Sequence, residues 1–105
     1  MSEYGEIPVE NPVNRQESAE VTALQALAWV ASDPDRLGAF LNATGAAAGD
    51  LAQNAAEPAF LGSVLDFLLS EDALVIGFCD SENLPYDLPL RARAALPGGA
   101  QWHWT

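Results

Sequence analysis

Apolar residues recur along this chain at helical spacing, three or four apart, with little of the two-residue alternation that marks strands. Between residues 17 and 31, Val21, Leu24, Ala28 and Ala31 fall at i, i+3, i+7 and i+10. Leu27 and Val30 widen that stripe and Trp29 lies beside it, which predicts a first helix, Glu17 to Ala31, with this inner face. A second helix over Pro34–Thr44 lines up Leu37, Phe40, Leu41 and Thr44. Over Pro58–Leu69 the residues Phe60, Leu61, Val64, Leu65, Phe67, Leu68 and Leu69 cover most of the circumference. A helix apolar almost all round is enclosed by its neighbours, so this one is expected at the centre. Leu74, Val75, Phe78 and Cys79 form the inner face of a further helix ending near Glu82-Asn83. Two shorter pieces complete the set. Residues 48–55 form a connector with one large apolar residue, Leu51, and residues 88–96 a short closing helix.

The boundaries carry their own signals. The phrase Asp33-Pro34-Asp35-Arg36-Leu37-Gly38-Ala39-Phe40-Leu41 is echoed 24 residues later by Glu57-Pro58-Ala59-Phe60-Leu61-Gly62-Ser63-Val64-Leu65. In each copy an acid precedes a proline. The acid accepts from free backbone N–H groups at the positive end of the helix dipole. The proline fills the first helical position, where no N–H is needed. The repeat suggests two related helical hairpins. Gly45 supplies a left-handed stop, Ser70 is expected to cap the fifth helix, and Asn83 tolerates the left-handed conformation before Pro85. Asp87 is the expected cap of the last helix, with Pro89 in its first turn.

The predicted fold is therefore all-α, a compact bundle of five to six short helices around a central hydrophobic helix at about residues 58–69. The 105 residues suit one domain. It is expected to span residues 17–99, between an extended, flexible N-terminal arm (1–16), broken by Pro8, Asn11, Pro12 and Asn14, and an aromatic C-terminal tail (100–105). No apolar run approaches the roughly 20 residues that cross a bilayer. Met1-Ser2-Glu3-Tyr4-Gly5-Glu6 is neither an apolar secretory leader nor an Arg-rich transit sequence. The expected location is the cytoplasm, and Cys79, the only cysteine, rules out an internal disulfide.

Charge narrows the field further. Fifteen acids face four arginines and no lysine, for a net charge of -11. Nucleic-acid binding requires cations that neutralise phosphate, and docking on anionic lipid requires the same. Both are argued against. The acids serve solubility; a sharper alternative is an acidic face steering the chain to a basic partner, or mimicking a nucleic acid.

With this pattern laid out, the chain resembles a family of small helical alphaproteobacterial proteins known as domain of unknown function three-five-seven-two. The likeness rests on Ala28-Trp29-Val30-Ala31 running into Asp33-Pro34, on Phe40-Leu41 with Thr44-Gly45, and on Pro58-Ala59-Phe60-Leu61 through Val64-Leu65-Asp66-Phe67-Leu68-Leu69. Glu71-Asp72, Phe78-Cys79 and Ala92-Arg93-Ala94-Ala95-Leu96-Pro97-Gly98-Gly99 complete it, over roughly residues 20–99. Asn83 stands where glycine would be expected. The resemblance implies an all-helical fold and no activity.

The reactive residue types are few. Nucleophilic catalysis needs a nucleophile, a base within reach and an orienting group. Cys79 lies on an inner helix face and His103, the single histidine, in the tail. No mid-helix histidine is available for phosphotransfer. Asp80-Ser81-Glu82-Asn83 and Glu71-Asp72 lack the spacing and central glycine of a calcium loop, and the Cys and His sets of a zinc site are missing. No cofactor or metal is expected.

Asp66 is the acid that stands out, inside the run Val64-Leu65-Asp66-Phe67-Leu68. Helical spacing groups it with Ala59, Gly62, Ser63 and Ser70. The corresponding face of the second helix carries Asp35, Gly38, Ala39 and Asn42. Small residues permit close approach, so these faces either pack on neighbours or form a shallow docking groove for a partner. Asp66 is also placed to bond Arg91 or Arg93 and pin the last helix. Trp102 and Trp104 alternate, so in an extended tail both indoles face one way. They either close over the bundle or anchor a partner or a second copy of the chain. The partner-binding candidates are thus Trp102, Trp104, Gly38, Gly62 and Asp66. The function expected is that of a non-enzymatic adaptor or regulator with a protein partner, basic in the steering alternative. The rivals are an acidic inhibitor or nucleic-acid mimic, and a small-ligand binder or enzyme using Asp66.

Overall fold

The computed structural model describes residues 12–97. Six α-helices follow one another: α1 (Pro12–Ala31), α2 (Pro34–Thr44), α3 (Leu51–Asn54), α4 (Pro58–Leu69), α5 (Asp72–Glu82) and α6 (Leu88–Ala94), with a 3₁₀ turn at Ala48–Asp50 running into α3. The all-α bundle expected from periodicity is what forms.

The central position of α4 follows from its composition. It packs against α1, α2, α5 and α6, and Leu61, Gly62, Val64, Leu65 and Leu68 are buried along it. Around it close Phe40 from α2, Phe78 and Cys79 from α5, and Ala92 and Leu96 from α6 and the turn after it. Phe40 is fully enclosed and meets Phe60 and Phe67 edge-on at ring distances of 5.8 and 5.4 Å. Edge-on contact aims the electropositive ring edge at a neighbour's face.

The first helix departs from expectation in both length and orientation. It begins at Pro12, five residues before the expected start at Glu17. Pro12 and Asn14 look like interruptions in the sequence, yet Pro12 takes the first helical position, where its missing N–H costs nothing. The face turned inward is Ala19, Thr22, Ala23, Ala26, Leu27 and Val30. Of the expected inner face, Leu27 and Val30 are buried, but the stripe they were to widen points outward: Val21 is 55% exposed and Leu24 43%, and Ala28 and Ala31 are exposed with them. The physical reason is space. The helix packs against both α4 and α6, and alanines let two backbones approach where leucines would hold them apart.

At the α1–α2 corner Asp33 accepts from the Arg36 backbone N–H at 3.0 Å, as its place before Pro34 predicts. The Arg36 guanidinium lies 3.8 Å over the Trp29 ring and donates to the Trp29 carbonyl and to Ser32 Oγ, both at 3.0 Å. Glu57, the counterpart acid in the repeat, makes no such side-chain cap bond. Gly45 ends α2 at φ 75°. Asn83 ends α5 at φ 58°, ψ 48°, the left-handed geometry that glycine ordinarily supplies. Two other boundaries depart from expectation. Glu71, not Ser70, precedes α5, while Ser70 donates back to the Phe67 carbonyl at 2.6 Å. The last helix stops at Ala94, with Ala95 and Leu96 in the turn beyond it.

Candidate functional site

The site is built on one face of α4. Asp66 projects from it toward α6, where Arg93 meets it side-on. Nε donates to Oδ1 at 2.7 Å and Nη2 to Oδ2 at 3.3 Å. Of the two arginines within reach by sequence, it is Arg93 that engages; Arg91 turns to Asp87 at 3.3 Å. The third arm of the Arg93 guanidinium, Nη1, donates to the Pro97 carbonyl at 3.0 Å. Arg93 is only 11% exposed, Asp66 35%. A planar fork suits this task, because it holds a carboxylate with two parallel bonds and keeps further donors for a third group.

Gly62 explains how Arg93 gets there. A methyl group on Gly62 would sit 3.0 Å from Arg93 Nη1 and 3.2 Å from Cζ, so the guanidinium lies flat over bare backbone. Gly62 is thus covered from within and does not line an open groove. Gly38, its counterpart in the repeat, is exposed, and a methyl group placed on it would meet nothing within 4 Å. The two glycines are not brought together, and the repeat has different uses in its two copies.

Beyond Asp66 the same face opens. A groove of about 560 Å³ runs between the end of α2 and α4, with Ala43 and Ala46 on one wall, Phe60, Ser63, Asp66 and Phe67 on the other. Its signal is half present in the sequence as the small-residue face of α4. The opposite wall comes from residues 43–46, which no spacing rule links to Asp66. Ser63 donates to the Phe60 carbonyl at 2.6 Å, and Ser70 does the same to Phe67. Their hydroxyl protons are thereby committed to the helix, and the groove wall presents acceptors.

A second groove of about 450 Å³ separates α1 from α6 and is bordered by Arg15, Ser18, Thr22 and Arg91. Elsewhere, Cys79 is buried and donates to the Pro85 carbonyl at 3.4 Å. Burial raises its thiol pKa, with Asp80 and Asp87 adding to the effect. Tyr86 donates to Asp80 at 2.5 Å, and that bond raises its hydroxyl pKa. Among the described residues no three His, Cys, Asp or Glu side chains are placed to hold a metal ion, and no helix is long and apolar enough to cross a membrane. Trp102, His103 and Trp104 lie outside the described residues, as does the chain before Pro12.

Compared with known proteins, residues 16–99 match the model of a family described as protein of unknown function (DUF3572). No curated protein and no solved structure matches the chain.

Proposed function

The chain belongs to the DUF3572 family of proteins of unknown function, and on that footing we propose that it is a non-enzymatic protein-interaction module, an adaptor or regulator acting in the cytoplasm. The observation that carries this reading is the outer face of α1. Val21, Leu24, Ala28 and Ala31 form a continuous apolar ridge at helical spacing, and all four are exposed. Single exposed apolar residues are ordinary, whereas an aligned row on one helix is what a partner's groove receives. Glu17 is also exposed, one turn before Val21 on the same face. With a net charge of -11 behind it, the ridge suits an apolar groove rimmed by basic side chains, or in a weaker form a second copy of the chain. Asp66 favours a structural over a catalytic role, since both its oxygens are taken by Arg93.

A second reading has its own support. Glu71, Asp72, Asp80, Glu82 and Asp87 are all exposed along α5 and the loop after it, which suits an acidic inhibitor of a basic protein. The two readings separate in one experiment. Wild-type chain and a Val21→Ser, Leu24→Gln variant are used to capture partners from native extract at low and high salt. The interaction module predicts a partner retained by wild type, lost by the variant at unchanged melting temperature, and only partly released by salt. Equal capture by both chains, abolished by salt, would instead favour the acidic inhibitor.

A further inference from the structure

We propose that the groove between α2 and α4 binds a small amphiphilic cation, a protonated primary amine carried on a flat apolar body. The first support is the hydrogen-bonding character of its wall. Thr44 Oγ1 donates to the Phe40 carbonyl at 2.9 Å, Ser63 Oγ to the Phe60 carbonyl at 2.6 Å and Ser70 Oγ to the Phe67 carbonyl at 2.6 Å. A hydroxyl has one proton, so each keeps only lone pairs for a ligand. The backbone N–H groups of Gly45 and Ala46 are also taken, by the Leu41 carbonyl and by Thr44 Oγ1. Asp66 adds two carboxylate oxygens, each with lone-pair capacity beyond the bond to Arg93. Asn54 alone on this wall brings a side-chain donor, and its amide oxygen accepts as well. No residue of the α1 ridge lines this groove, so the site is separate from the partner surface proposed above.

The second support is the sign of the field. Thr44 ends α2 and Ser70 caps the end of α4, and both line the groove. A helix C-terminus carries about half a negative charge, and neither of these helices has a basic residue in its last turn. The chain has four arginines and no lysine. Arg36 stacks on Trp29 near the start of α2, and Arg15 and Arg91 border the groove between α1 and α6. Only Arg93 reaches this wall, where it offsets the charge of Asp66 and leaves the two helix ends uncompensated. The third support is shape. Phe60 and Phe67 are half-buried and braced by Phe40, a fixed surface for an apolar body, and an aromatic face attracts an ammonium. The volume of about 560 Å³ lies in the range of small-molecule sites. An anion would set lone pairs against lone pairs. An ammonium brings three donors and no acceptor.

The test titrates full-length chain with three probes at neutral pH, followed by amide NMR. Phenethylamine has the charge and the ring, methylamine the charge alone, and hydrocinnamate the ring with a negative charge. Phenethylamine is expected to give saturable shifts centred on residues 43–46 and 60–70, with each other probe binding at least about tenfold more weakly. Ala43→Leu, at an exposed position on the groove wall, is expected to abolish those shifts at unchanged melting temperature. Ser63→Ala, which removes one acceptor, should weaken binding roughly fivefold, and it decides the matter if Ala43→Leu proves unstable. Equal binding of methylamine would reduce the site to general attraction by an acidic chain and overturn it. Equal binding of hydrocinnamate, shifts centred elsewhere, no saturation, or full binding by the variants would overturn it as well.

Discussion

Gly38 and Gly62 occupy the same place in the repeat, and the same substitution should move stability in opposite directions. Gly38 lies in the middle of α2 with open space around it. Alanine there removes backbone freedom from the unfolded chain, and a gain of about 0.5–1 kcal/mol is expected. At Gly62 the added methyl meets Arg93 at 3.0 Å. Arg93 cannot retreat without giving up Asp66 or Pro97, and charged hydrogen bonds contribute about 1.5–3 kcal/mol each. Gly62→Ala should therefore lower the melting temperature despite its better helix propensity. Thermal unfolding of the two variants checks both signs. Tyr86 and Cys79 give a pH prediction. Both pKa values are raised in the folded chain, so the stability each contributes is complete below its unfolded-state pKa and is lost as pH rises through the folded one. In an alkaline titration of stability, the share due to Tyr86 should be missing from Tyr86→Phe, which lacks the bond to Asp80. Native Cys79 should react with a thiol reagent roughly tenfold or more slowly than the urea-unfolded chain.

At the scale of the helix, α1 teaches most about what a sequence discloses. Periodicity weights Val21 and Leu24 above alanine, so it selects the face with the larger side chains. The face actually buried keeps Leu27 and Val30 but is completed by Ala19, Thr22, Ala23 and Ala26, at i, i+3, i+4, i+7, i+8 and i+11. The central helix α4 was legible because its apolar residues leave few alternatives, and the stop at Asn83 because few other residues accept a left-handed backbone. Asn83→Ala is accordingly expected to cost about 1 kcal/mol in urea unfolding. The groove was legible only on its α4 side. Its second wall depends on the path of the chain after Gly45, which is a tertiary fact. Nor could spacing choose between Arg91 and Arg93. That choice depends on the rotation of α6, set by the burial of Pro89, Ala92 and Leu96.

For the molecule as a whole, the bond between Asp66 and Arg93 joins residues 27 apart and fixes α6 against the central helix. Asp66→Asn keeps the shape and removes the charge, leaving Arg93 enclosed with a weaker partner. Because Asp66 is one-third exposed, solvent screens part of the loss, and a destabilisation of about 1–2 kcal/mol is expected. Its signature should be earlier amide exchange in α6 than in α4. Self-repulsion among the acids acts on the whole chain, so moderate salt should raise the melting temperature of wild type while weakening any partnership with a basic protein.

Trp29 sits at the meeting of three helices, with Phe78 at 5.9 Å, the bare backbone of Gly77 against its ring and the Arg36 cation above it. With Trp102 and Trp104 exchanged for phenylalanine, it becomes the sole indole in the molecule. The protein then carries its own optical gauge: emission colour and intensity from one ring follow the opening of the junction between α1, α2 and α5, with no dye attached.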